Sequence, residues 1–199
     1  MLKTALIAVA ISTTMTVPSN QMNTTYGVTS ILTDMRAQSL YNVQQPIEPQ
    51  IQYLEGVQIY GAKMKTYESY KLFNKASNQY KLQLQCYTDE NGLRYTMYNN
   101  EKFYCVAVGT GTELTVGDYG YLLLEDGTYV NIVVGDIKQN IHTNNNNTVT
   151  LHSNCASEFI VDTIKLNKTV KRMGDVSYVN NWSGNVVMIG KVKFYYLLK

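Results

Sequence analysis

The hydrophobic pattern splits the chain near residue 80. Before it, apolar positions are irregular; after it, short apolar runs alternate with Gly, Asn and Asp clusters at strand spacing. Leu93–Tyr98, Lys102–Val108, Tyr121–Leu124, Tyr129–Val134, Glu158–Val161 and Val186–Leu198 read as strands. Asn91-Gly92, Asn99-Asn100 and Glu125-Asp126-Gly127 read as the turns between them. In Tyr80–Tyr87, Leu82, Leu84 and Cys86 alternate with Lys81, Gln83 and Gln85. That stretch is either a half-buried strand or an extension of a helix expected over 63–80, where Met64, Tyr67, Tyr70, Leu72, Phe73 and Tyr80 partly follow a 3.6-residue period. Thr163–Met173 reads as a second helix, with Asp162 as its N-cap. Asp175 after Gly174 reads as a turn, and 139–155, with Asn144 to Asn147 in succession, as a polar loop.

Upstream, Met1 to Asn20 carries Lys3, an apolar run from Ala5 to Ile11 and then small polar residues. It is either a signal-like segment or a buried apolar one. Residues 21–79 read as an arm, irregular through residue 62, in which Pro46 and Pro49 bracket an extended stretch. The expected organisation is therefore a 1–20 segment, a 21–79 arm with a short helix, and an 80–199 domain. The expected fold is mainly β, a small closed barrel over about 80–198.

Composition narrows the function classes. Of 199 residues, 45% are hydrophobic, which is too many for a disordered chain. A net charge of +2 lacks the clustered basic face of a nucleic-acid binder. No run of ~18 apolar residues exists, so no ordinary helical membrane span is expected. Tyrosine dominates the aromatics, 17 against 4 Phe and 1 Trp, which fits a β-rich protein with a polar surface. No Walker A motif, dinucleotide fingerprint or nucleophile elbow is present, and no cofactor is expected. Cys86, Cys105 and Cys155 lack zinc-ligand spacing; they are either three reduced thiols or one disulfide and a thiol.

One constellation carries candidate chemistry: Asp136 and Lys138, His142 and Thr143, and Glu158 and Asp162. Asp136 follows the most continuous β-former run, YVNIVV, so packed apolar residues lie behind it and a loop in front. Desolvation raises a carboxyl pKa and a nearby lysine lowers it, a setting for a general acid or nucleophile. Glu158 opens the next apolar strand, and two carboxylates on one rim suit glycosidic chemistry. His142 is a supporting hydrogen-bond or proton-shuttle partner. Lys138 and Thr143 are binding candidates, and Tyr104 and Tyr129 are candidates for stacking on sugar rings. The bland alternative is an Asp that caps local backbone amides.

The run from Phe103 to Val161 resembles the double-psi β-barrel group that includes the three-aspartate domain and rare lipoprotein A-like proteins of Gram-positive bacteria and their phages. The pieces that carry the resemblance are YCVAVG, TELTVGDYGYLLLEDGT, VNIVVGDIK and SEFIVD. The family's Asp-Thr-Gly-Gly signature is absent, Ile137-Lys138 following Asp136 instead. The resemblance implies a cell-wall role outside the cytoplasm or in a virion, with peptidoglycan or another surface glycan as partner. It implies lytic transglycosylase-like cleavage with Asp136 as acid/base, Glu158 as second carboxylate and His142 in support. Two other roles fit the same barrel: a virion or tail scaffold contacting other virion proteins or copies of itself, and a glycan-binding module.

Overall fold

The computed structural model describes residues 49–62 and 64–196; the apolar segment 1–20 and the first part of the arm, through residue 48, lie outside the described residues. Among the described residues the protein is mainly β, with ten strands in one mixed sheet and short helices. The turn chemistry sets the hairpins. Between β5 (Arg94–Tyr98) and β6 (Glu101–Gly109), Asn99 and Asn100 take φ of 50° and 62°, the paired left-handed conformation of a tight hairpin. β7 (Tyr119–Leu124) and β8 (Tyr129–Lys138) pair antiparallel around Gly127, at φ 86°. β4 (Tyr87–Thr88) pairs antiparallel with β5, and Asp89 pins their turn by accepting from the backbone N–H of Asn91 and Leu93. β9 (Cys155–Val161) and β10 (Val186–Tyr196) complete the later strands.

Residues 49–84 differ from expectation. β1 (Pro49–Tyr53) and β2 (Val57–Gln58) lie in the stretch read as irregular, both antiparallel to β10. Pro49 is tolerated because it opens an edge strand, where its missing N–H breaks no central ladder. The helix expected over 63–80 is instead β3 (Met64–Ser69), parallel to β9, followed by a 3-10 turn at Tyr70–Leu72. Helix α1 (Asn78–Leu84) begins only where Ser77 Oγ accepts from the Tyr80 N–H, an N-cap. The alternation in Tyr80–Tyr87 points the wrong way, because Gln83 is buried and Leu84 is exposed. Gln83 is tolerated inside because Arg94 Nε donates to its side-chain oxygen at 3.2 Å. The second helix is shorter than expected: α2 (Lys168–Met173) is capped by Asn167, whereas Asp162 accepts from the Ile164 N–H. A third, α3 (Ser177–Asn180), follows Asp175, which caps Ser177 and accepts from the Lys65 N–H.

β8 lies between β7 and β6, and the β6–β8 pairing is parallel. The other edge of β6 is shared by β5 near its start and β9 near its end. A continuous path runs β3-β9-β6-β8-β7-β10-β2. The sheet is not closed: among the described residues no pairing joins β2 to β3, although they are consecutive in the chain. The closed barrel expected from the sequence is thus observed only as a mainly β, open mixed sheet.

Both faces are apolar. One carries Val106, Val108, Ile132, Val134 and Phe159 and packs against Val170 and Val176 of the α2–α3 region. The other carries Phe103, Cys105, Val133 and Ile160 and packs against Tyr70, Phe73 and Leu82 from the 3-10 turn, the loop after it and α1. Strands buried on both sides read as continuous apolar runs, which is why YCVAV and NIVV are so conspicuous. Among the described residues no helix is long and apolar enough to cross a membrane.

Candidate functional site

A bulge sets the site. Val106 opposes Val134, but Ala107 opposes Asp136, so Gly135 is the extra residue on β8. Only glycine fits there: a Cβ would lie 2.3 Å from Ile160 Cδ1 and 3.2 Å from Gln83 Nε2. The bulge puts Asp136 level with Ala107, which also opposes Glu158 across its other edge. Asp136 and Glu158 therefore flank one small residue, their backbones about two strand spacings (~9.5 Å) apart. Residues in register share a face, so Lys138, opposite Gly109, follows Asp136, and Glu68, opposite Ile160, follows on β3.

Three of these side chains meet, and Asp136 lies on the same face. Lys138 Nζ donates to Glu68 Oε2 at 2.6 Å and also pairs with Glu158 Oε2. All three are largely sheltered, with side-chain exposures of 15–20%. Gln79 Nε2 of α1 donates to Asp136 Oδ1 at 3.2 Å, so Asp136 is partnered by a neutral amide and not by Lys138. Glu68 Oε1 is buried without a hydrogen-bond partner. Burial pushes the Glu68 carboxyl above its ordinary value; the Lys138 charge and hydrogen bond pull it down, and Asp136 and Glu158 push it up. Burial works against the Lys138 ammonium, but the two carboxylates outweigh it and hold its pKa above the ordinary lysine value. Two carboxylates thus pair with one cation, Asp136 is held beside them by the Gln79 amide, and burial holds the Glu68 carboxyl above the ordinary glutamate value.

The remaining sequence candidates are dispersed. His142 is exposed in a 3-10 turn at Asn140–His142. Thr143 is buried in the loop scaffold, its Oγ donating to Asn140 O and Asn147 Oδ1. An open recess of about 420 Å³ is lined by Asn144, Asn145, Asn146 and Leu151 in the same loop. Tyr104 opposes Ile132 on the other face of the sheet from Asp136, against Trp182 at 5.1 Å and Phe159. There burial, with the charges of Asp89 and Glu90, pushes its hydroxyl up to about 12. Tyr104 thus cannot line a groove beside Asp136, contrary to the sequence expectation. Tyr129 shares the face of Asp136 but opens β8, ~20 Å along the strand. Its ring sits 4.3 Å from that of Tyr53, both rings partly exposed, above Tyr121.

Sequence reasoning missed Glu68 and Gln79. Both lie in the stretch read as one helix; read as a strand, Thr66 and Glu68 fall on one face and Lys65 and Tyr67 on the other. All three cysteines are thiols, and the sulfurs of Cys86 and Cys105 approach to 3.2 Å.

No protein-family model, no curated protein and no solved structure matches this chain. The chemistry of the carboxylate–lysine cluster is the remaining guide to function.

Proposed function

We propose that this is a cell-wall-directed protein, acting outside the cytoplasm or from a virion, that cleaves peptidoglycan glycan strands at the Asp136 rim. The observation that carries the reading is the cluster itself: Asp136, Glu158, Glu68 and Lys138 gathered on one sheet face, with burial raising the Glu68 carboxyl above its ordinary value. Perturbed carboxyls grouped with a specific cation are a mark of acid–base sites. In this reading Asp136 is the acid/base that exchanges a proton with a glycosidic oxygen, oriented by the Gln79 amide at its Oδ1. Lys138 pairs with Glu158, which serves as the second carboxylate, stabilising a developing oxocarbenium ion. Glu68, its carboxyl raised by burial above the ordinary value, completes the same network.

A turbidity-clearing assay on purified cell walls tests this. Wild-type protein should clear the suspension, and Asp136→Asn, which preserves shape and the Gln79 contact, should lower the rate by at least ~10²-fold. Equal clearing by the two proteins would exclude Asp136 as the acid.

A second reading, glycan binding without cleavage, is favoured by the stacked Tyr53–Tyr129 pair on the Asp136 face. Exposed aromatic rings backed by a rigid strand suit the apolar faces of sugars. Cell-wall pull-down that survives Asp136→Asn but is lost in Tyr129→Ala, with no clearing by wild type, would select it.

A further inference from the structure

The covered face of the sheet holds a second reactive group, distinct from the carboxylate cluster. Cys105 lies in the middle of β6 and is fully buried. Cys86 follows the end of α1 and is half-buried, its Sγ 3.2 Å from that of Cys105 and 3.3 Å from Leu82 O. A disulfide needs ~2.05 Å between sulfurs, so closure asks for a movement of just over ~1 Å. Cys86 can supply it, because it sits outside the helix and outside any strand.

We propose that Cys86 and Cys105 form a reversible dithiol–disulfide pair, oxidised by small-molecule disulfides, that fastens the end of α1 to β6. Cys86 is the attacking sulfur, since it is the more exposed of the two. The hydrogen bond it shares with Cys105 and the nearby Arg94 charge hold its thiol below the ordinary cysteine value, against the effect of burial. Arg94 is itself held in place by Gln83 and Thr88. The Cys86 thiolate attacks one sulfur of the small disulfide; a mixed disulfide forms and one small thiolate leaves. Cys105 then attacks the Cys86 sulfur, its proton passing to the second small thiolate as that leaves. Two protein thiols are oxidised to one disulfide, and one small disulfide is reduced to two thiols. Cys155 stays out of the exchange: it is buried on β9, with its sulfur in hydrogen bonds to Thr66 and the Ser157 carbonyl.

The bond has a structural consequence. α1 carries Gln79, which donates to Asp136, and Gln83, which packs over Gly135. Fixing the end of α1 to β6 therefore holds the helix against the bulge of β8. This inference does not depend on what the carboxylate cluster does.

The test is equilibration of the full-length folded protein in glutathione buffers of increasing oxidation, followed by acid quench, alkylation in denaturant and peptide mapping. The expected result is a Cys86–Cys105-linked peptide that appears with oxidation and vanishes on reduction, with Cys155 alkylated throughout. Cys105→Ser should instead stop at one glutathione adduct on Cys86. In hydrogen exchange, oxidised wild type should protect the α1 amides roughly tenfold more than reduced protein. Full alkylation of Cys86 and Cys105 at every ratio would overturn the proposal. So would a persistent Cys86 adduct in wild type, or α1 exchange that ignores the oxidation state. The wild-type map decides even if the serine variant fails to fold.

Discussion

Replacing Lys138 with methionine removes the only cation shown pairing with Glu68 and Glu158, while keeping most of the side-chain volume. Breaking a fully buried ion pair from one side costs about 3–5 kcal/mol, and exposed pairs are worth ~0–1 kcal/mol. Side-chain exposures of 15–20% place this site between those limits, so the expected loss is ~2 kcal/mol near neutral pH. For a chain of this size that lowers Tm by about 4–8 °C. The pH dependence is the sharper part. The folded-state pKa of Glu68 is raised by burial above its ordinary 4.5. Its favourable contribution is therefore fully present below the unfolded value and is lost as pH rises through the folded one. Lys138 is among the influences pulling that value down, so its removal raises it further and widens the window in which the folded state suffers. The Tm deficit of Lys138→Met should be smallest below the ordinary glutamate value of 4.5 and grow as pH rises above it, through the raised folded-state value of Glu68. Thermal melts by circular dichroism across that range provide the measurement. A deficit independent of pH, or none at about pH 7.5, would refute the claim that Lys138 balances buried carboxylate charge.

Two further substitutions probe what positions the site. Gly109→Ala places a Cβ 1.9 Å from the Asn147 carbonyl oxygen; backbone must move, so we expect a loss of ~1–3 kcal/mol and faster limited proteolysis within the Asn-rich loop. Asp89→Ala strips the acceptor from two backbone N–H groups, of Asn91 and Leu93; chemical denaturation should show ~1–3 kcal/mol lost, with the slope unchanged.

The strands from β5 to β10 were legible because their signals are local: an Asn-Asn or Asp-Gly turn, then apolar residues at strand length. The joint placement of Asp136 and Glu158 is less local than it looks. It depends on the Gly135 bulge and on β6 pairing with both β8 and β9, neither of which has a signature in spacing. The segment around β3 was misread because parallel pairing with β9, about 90 residues later, overrides a weak helical period. Glu68 was lost with it. Gln83 and Leu84 show the same override at one helix end, where an arginine from β5 makes the polar residue the buried one. Tyr104 was misplaced because a tyrosine beside a candidate strand-end carboxylate says nothing about which face its own strand offers.

The most direct test of the central claim is product analysis by mass spectrometry after incubating purified peptidoglycan sacculi with wild type and with Asp136→Asn. Soluble fragments cut at glycosidic bonds should come from wild type and fall to background in a variant that melts at the same temperature. Fragments in equal yield from both proteins, or none from the folded wild type, would contradict a glycan-cleaving role for the Asp136 rim.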